Sequence, residues 1–241
     1  MKFDAMSDKG RVRENNEDSY FIPNDENFPL FIVADGIGGH KSGEIASNMT
    51  VDIIKNNLKT VDEYESITDL EDDFIKAISL ANNEVYNKSI QDTELSGMGT
   101  TLTLIYFYKD SVLIGHVGDS RTYVVSEDRI QQLTEDDTFV NKLVELGEIT
   151  PIEAANHPKR NIITNAIGTD TRIDISLIQY NYAVDEYLLI CTDGLTDMVT
   201  NNEILKIVNE YKDPTSIKEQ LIKSALDAGG KDNITFIIIQ I

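Results

Sequence analysis

Thr101-Leu102-Thr103-Leu104-Ile105-Tyr106-Phe107-Tyr108, then Lys109-Asp110, then Ser111-Val112-Leu113-Ile114-Gly115-His116-Val117 reads as two β-strands joined by a tight turn. β-Branched and aromatic residues fill both runs, and turn residues close them. A two-residue connection is the length of a hairpin loop. Outward from this hairpin the same signal recurs. Gly118-Asp119-Ser120 turns the chain into Arg121-Thr122-Tyr123-Val124-Val125, and Ser126-Glu127-Asp128 turns it into Arg129-Ile130-Gln131-Gln132-Leu133. Upstream, Leu30-Phe31-Ile32-Val33-Ala34 is an apolar run halted at Asp35-Gly36. Downstream, Tyr187-Leu188-Leu189-Ile190-Cys191 ends at Thr192-Asp193-Gly194, and a last strand from Ile234 to Ile241 is introduced by Asp232-Asn233.

Between these strands lie stretches of helical periodicity. From Leu70 to Ile90 one face carries Leu70, Phe74, Ile75, Ile78, Ala81, Val85 and Tyr86. A second stretch, Glu44 to about Leu58, turns Ile45, Met49, Ile53 and Ile54 inward, and a third, Thr215 to Leu226, turns in Ile217, Leu221, Ile222 and Ala225. Hairpins separated by long helices predict antiparallel sheets covered by helices, an α+β layered domain. Residues 134–170 break the pattern: they are polar, helical from Phe139 to Leu146, and contain Pro151 and Pro158. So long an excursion between strands is usually functional or mobile. No linker or repeat divides the 241 residues, and one domain is expected.

Asp and Glu number 42 against 21 Lys and Arg, a net charge of −21. Such a surface repels phosphate backbones and anionic headgroups, so neither nucleic acid nor membrane is expected as a partner. It attracts cations. The lone Cys191 excludes an internal disulfide framework and fits a reducing compartment. The start lacks the apolar core of a signal peptide, and no stretch reaches the roughly 18 apolar residues of a membrane helix. A cytoplasmic location is therefore expected.

Asp35 and Asp193 each end an apolar strand and precede a glycine, and Asp232 stands just before a strand. In an antiparallel sheet the end of one strand lies beside the start of its neighbour, so the three carboxylates can gather at one edge of the core. The glycines allow a sharp turn and a close backbone approach. Gathered carboxylates repel unless a cation neutralises them, and oxygen-only ligands select hard ions such as Mg²⁺ or Mn²⁺. Asp-Gly after a strand is also an ordinary turn, and spacing alone leaves both readings open.

Other phosphate chemistry drops out. Gly36-Ile37-Gly38-Gly39-His40-Lys41 has Lys41 where a dinucleotide fingerprint needs its third glycine. Gly38 to Gly43 has the spacing of a phosphate loop, but Glu44 and Ile45 replace its Lys and Ser/Thr. Cys191 lies in a strand, with Asp197 where a cysteine phosphatase would carry its Arg, and reads as a small core residue. His40, His116 and His157 are too scattered for a zinc motif.

Six segments, in order, resemble the bacterial members of the metal-dependent, type 2C protein phosphatase family. They are Arg13-Glu14-Asn15-Asn16-Glu17-Asp18, Val33 to His40, Gly97-Met98-Gly99-Thr100-Thr101-Leu102, Val117-Gly118-Asp119-Ser120-Arg121, Thr192-Asp193-Gly194-Leu195, and Gly230-Lys231-Asp232-Asn233-Ile234-Thr235. The resemblance covers the whole chain. It implies a four-layer α/β/β/α sandwich of two antiparallel sheets flanked by helices, with residues 134–170 as a flap beside the active site. It implies a two-ion centre in which Asp35 bridges the ions, the Gly36 carbonyl ligates one, and Asp193 and Asp232 hold the other. Glu17 and Asp18 would act through bound water, and Asp119 with Asp193 would hold a weaker third ion. Arg13 would grip the substrate phosphate through its planar fork. Two such ions, about 3.5–4 Å apart, activate a bridging water for in-line attack at phosphorus, so no protein nucleophile is needed. Thr100 and Thr101 are expected to pack and hydrogen-bond within the sheet, and Ser120 and Arg121 to serve turn and strand.

One departure stands out. Eukaryotic members carry His directly after the Asp-Gly as the proposed general acid; here the position is Ile37. His40, three residues on in a glycine-rich loop, is the candidate donor. An isolated loop histidine also serves as a plain contact, and both readings stay open. The expected activity is hydrolysis of phosphoserine and phosphothreonine in proteins by a monomer that opposes a bacterial Ser/Thr kinase. A phosphatase dedicated to one phosphorylated regulator or small ester is a second reading. A catalytically inactive metal-binding module is a third, disfavoured because Arg13, Asp18, Asp35, Asp119, Asp193 and Asp232 are all present.

Overall fold

The computed structural model describes residues 1–38 and 42–241. In chain order its elements are β1 (Lys2–Asp8), β2 (Ser19–Phe21), β3 (Leu30–Ala34), β4 (Gly36–Ile37), α1 (Ser42–Asn57), α2 (Ile67–Gln91), β5 (Gly99–Thr100), β6 (Leu102–Tyr108), β7 (Ser111–Val117), β8 (Arg121–Val125) and β9 (Ile130–Gln132). They continue as α3 (Phe139–Glu145), α4 (Pro151–Ala155), β10 (Ser176–Tyr180), β11 (Tyr187–Cys191), α5 (Asp193–Thr196), α6 (Asn201–Tyr211), α7 (Pro214–Asp227) and β12 (Ile234–Gln240).

Two five-stranded sheets form, ordered β1-β12-β11-β8-β9 and β10-β7-β6-β3-β2, and every pairing is antiparallel. A two-stranded β4-β5 ribbon completes the pairing. The continuous apolar runs have a physical reason: strands inside a four-layer stack are buried on both faces. Along β3, Phe31 and Val33 point into the seam between the sheets, where they meet Ile105, Ile114, Leu188, Ile190 and Ile237. Leu30, Ile32 and Ala34 point the other way, onto the α1 and α2 side with Ile54, Phe74 and Ile78. The second sheet buries Leu189, Cys191, Phe236 and Ile238 against Ile204, Val208, Ile217 and Leu221 of α6 and α7. This is the expected four-layer α/β/β/α sandwich.

Helix starts follow capping chemistry. Ser66 and Asp69 close a capping box on α2, Thr200 and Glu203 one on α6, and α7 begins with Pro214 behind the N-cap Asp213. Two expectations shift. Ile75 lies largely exposed, one position beyond the buried Phe74, and the buried stripe of α1 runs through Ala46, Thr50, Val51 and Ile54. Ile45, Met49 and Ile53 pack at its margin. The turn at Gly118-Asp119-Ser120 also does more than close a hairpin: β7 and β8 belong to different sheets, so it carries the chain across the sandwich.

Candidate active site

Each sheet delivers a pair of carboxylates to the same end of the sandwich. Ser19 of β2 pairs with Ala34 of β3, so the next residues outward, Asp18 and Asp35, leave the end of that ladder together. In the other sheet Cys191 of β11 pairs with Phe236 of β12. Thr192 then donates its N–H to Thr235 O at 2.9 Å, beyond which lie Asp193 and Asp232. Asp119 comes from the turn that crosses between the sheets. The strand-end reasoning thus holds within each sheet, and stacking brings the two pairs into one cluster.

Buried hydroxyls and one amide fix this cluster. The Asp35 N–H donates to Thr101 Oγ1 at 2.9 Å, and Asp35 O accepts from Thr101 N at 2.9 Å and from Thr100 Oγ1 at 2.8 Å. Thr101 Oγ1 also shares a 2.8 Å hydrogen bond with Ser120 Oγ, which connects the end of β3 to the crossing turn. Thr192 Oγ1 donates to Asp18 Oδ2 at 3.1 Å. Asn233 organises the segment that carries Arg13: its Nδ2 donates to Lys9 O and Asn15 O at 3.0 and 2.8 Å, and its Oδ1 accepts from Glu17 N at 2.9 Å. Two glycines are required by crowding. A Cβ on Gly36 would overlap Gly43 O and Glu17 O, and one on Gly194 would overlap Asn233 O.

The electrostatics are those of anions kept from water. Burial, the largest cause, pushes the Asp18 carboxyl up to about 7, Asp119 up to about 8 and Asp193 up to about 6, with the other carboxylates adding repulsion. Asp35 is pushed well above its ordinary range by burial and then by Asp18, Asp193, Asp119 and Asp232, so it sits at the electrostatic centre. Among the described residues no three acidic, His or Cys side chains form a closed ion cage. Two buried oxygens, Asp18 Oδ1 and Asp119 Oδ1, have no hydrogen-bond partner among the described residues. Buried carboxylate oxygens without donors fit hard cations, and the donor set is all oxygen. Arg13 Nη2 meets Asp232 Oδ2 at 2.7 Å, placing a half-exposed guanidinium at the rim.

A cavity of about 330 Å³ opens beside Asp119 and Asp193, and its far wall comes from Thr138, Val140 and Asn161 of segment 134–170. A smaller cleft of about 200 Å³ lies between Arg13, Glu17 and Asn233. Gly36 lies in the short ribbon with Thr100, and Ile37 pairs with Gly99. His40 lies outside the described residues. Cys191 is free and buried, and burial pushes its thiol up to about 12, as suits a core residue. Sequence reasoning missed Asp136, Asp137 and Asn165. Asp136 takes a forked ion pair from Arg121 (Nη2 to Oδ2 2.6 Å, Nε to Oδ2 2.9 Å), so Arg121 does more than fill a strand. Their only sequence signal was an acidic pair opening the irregular segment.

Residues 9–226 match the protein phosphatase 2C family. The chain is 34% identical over 241 residues to the serine/threonine phosphatase stp of Listeria monocytogenes, covering all of this chain and 96% of that protein. Its fold superimposes on the serine/threonine phosphatase of S. agalactiae with a TM-score of 0.93 at 33% identity, covering 100% and 99% of the two chains. It is similar also to the catalytic domain of the phosphatase PstP in complex with two manganese ions (TM-score 0.84, 33% identity, 98% and 96% covered). With the six segments in order and both sheets in place, the chain belongs to the protein phosphatase 2C family.

Proposed function

We propose that this protein hydrolyses phosphoserine and phosphothreonine monoesters in proteins with divalent cations held by Asp35, Gly36, Asp193 and Asp232, assisted by Glu17 and Asp18. The observation that carries this reading is the convergence of buried and half-buried aspartates from both sheets and the turn between them, two of which, Asp18 and Asp119, have oxygens that no donor among the described residues satisfies. When bound, a pair of such ions supplies a hydroxide at neutral pH and neutralises the phosphoryl oxygens. Asp35 feels Asp18 of its own sheet and Asp193 and Asp232 of the other, and suits the bridging role. Asp119, with Asp193, suits a weaker third site, since it keeps a free oxygen at the cavity wall. Mn²⁺ and Mg²⁺ both match the oxygen set.

Arg13 is the phosphate clamp in this reading. Its fork can take two phosphate oxygens, and its present partner Asp232 is itself a proposed ligand. A cation on Asp232 would weaken that ion pair and leave the guanidinium for the substrate. Residues 134–170 act as a flap whose cavity receives the peptide around the phosphoresidue. The free Cys191 supports a reducing compartment, the cytoplasm, where a Ser/Thr kinase would supply the substrates.

The test is hydrolysis of a phosphothreonine peptide by wild type and Asp35→Asn, with Mn²⁺ and with EDTA. Activity is expected with Mn²⁺ only, and the variant is expected to lose at least about 10³-fold, as for loss of a central electrostatic group. Full activity in EDTA would overturn the reading.

A further inference from the structure

We propose that Asp137 is a positioning residue for Asp119, locking the Gly118-Asp119 turn to the base of segment 134–170. Gly118 N–H donates to Asp137 Oδ2 at 2.9 Å, and Asp137 N–H donates to Gly118 O at 2.7 Å. One residue therefore satisfies both backbone groups of Gly118. The same Oδ2 accepts from Asn165 Nδ2 at 2.7 Å. The Asp137 carbonyl accepts from Thr164 N at 2.8 Å and from Thr164 Oγ1 at 2.9 Å. Asn165 Nδ2 continues to Asp174 O at 2.7 Å. The segment thus closes on itself at one residue, Asp137, through its carbonyl to Thr164 and its carboxylate to Asn165, and the same carboxylate holds Gly118.

The turn needs a hold. Gly118 has φ +109°, in the region that favours glycine, and glycine has the widest choice of other conformations. Asp119 Oδ1 makes no hydrogen bond among the described residues, so no side-chain partner holds that oxygen. Its direction follows from the backbone before it. Asp136 does not share the task, since its carboxylate is engaged by Arg121 and Gln132. The catalytic consequence rests on the phosphatase reading above; the fixing of the turn does not.

The experiment compares Asp137→Ala with Asp137→Asn, which keeps an acceptor oxygen in place, each alone and combined with Asp119→Asn. Amide exchange at Gly118 is followed by NMR in EDTA, and kcat and KM are measured with Mn²⁺ on a phosphothreonine peptide. In Asp137→Ala, Gly118 exchange is expected to speed roughly tenfold, the effect of one lost hydrogen bond. The kcat should fall about 10- to 100-fold at nearly constant KM, as misplacement of a working group does. Asp137→Asn should restore both. In the Asp119→Asn background Asp137→Ala should cost nothing further, because the two act as one unit. Unchanged Gly118 exchange, an equal loss on both backgrounds, or no rescue by Asn would each overturn the proposal. Should the Ala variant fail to fold, Asp137→Ser, too short to reach Gly118, gives the same comparison. A wild type inactive with Mn²⁺ would defeat the phosphatase reading, while Gly118 exchange would still decide the lock.

Discussion

Ile37 directly follows the Asp35-Gly36 pair, and an isoleucine side chain has no proton to give. A serine alkoxide is a poor leaving group, so a proton source at that oxygen is worth about 10²–10⁴-fold. The other histidines are committed elsewhere. His116 is buried between Thr103 Oγ1 and Glu135 O, and burial lowers its proton affinity. His157 Nδ1 accepts from Lys159 N, and its ring lies 6.2 Å from that of Phe139. His40 is the remaining imidazole. His40→Ala should slow phosphopeptide hydrolysis about 10²-fold yet barely change p-nitrophenyl phosphate hydrolysis, whose leaving group departs unassisted. Equal losses on the two substrates would remove His40 from the acid role. That Asp35, Asp193 and Asp232 would gather at one end of the core was legible, because an Asp at the boundary of an apolar strand leaves a local mark. The residues that hold them were not. Asn233 and Asp137 act on backbone more than 15 residues away, and nothing in their own neighbourhood announces that.

At the scale of elements, α5 and the approach to β12 touch through bare backbone. Gly194 sits where a Cβ would overlap Asn233 O, and this contact sets the distance between Asp193 and Asp232. Gly194→Ala must push the two apart, since neither side is the end of a flexible side chain. We expect it to weaken Mn²⁺ binding, read by calorimetry, and to cost about 1–3 kcal/mol of stability, the range for overpacking. Binding and stability equal to wild type would mean that the backbone gives way freely. The central strands were legible for a related reason: double burial makes β3, β6, β7, β11 and β12 continuous apolar runs. β1 and β10 lie at sheet edges, half exposed, and their mixed polarity hid them. α6 went unread although Thr200 and Glu203 mark its start. The crossing at Gly118-Asp119-Ser120 could not be read locally, because a turn looks alike whether it returns to its own sheet or passes to another. That crossing brings Asp119 to the cluster.

For the molecule as a whole, a net charge of −21 and a nest of buried and half-buried aspartates make stability depend on what neutralises them. Asp18, Asp119 and Asp193 have folded values near 7, 8 and 6, against 3.8 for the ordinary side chain, and Asp35 lies well above it too. Without cations the folded state therefore holds protons that the unfolded chain has released. Stability from these groups is fully present below about pH 4 and is lost as pH rises through the folded values. His116 runs the other way. Its folded affinity is lowered, so it costs stability only where the unfolded chain takes up a proton, below its ordinary value of 6.5. Above that value the carboxylates act alone. In EDTA the unfolding midpoint should fall steadily from pH 6.5 to 8. Saturating Mg²⁺ should raise the midpoint and flatten its slope, because ions that bind only the folded state keep the carboxylates ionised at no cost in protons. Calorimetric scans at four pH values, with and without the ion, measure both slopes. A midpoint in EDTA that is flat or rises with pH would show that the cluster is already neutralised from within, by Arg13 and the backbone, and that the carboxylates do not depend on a cation to coexist.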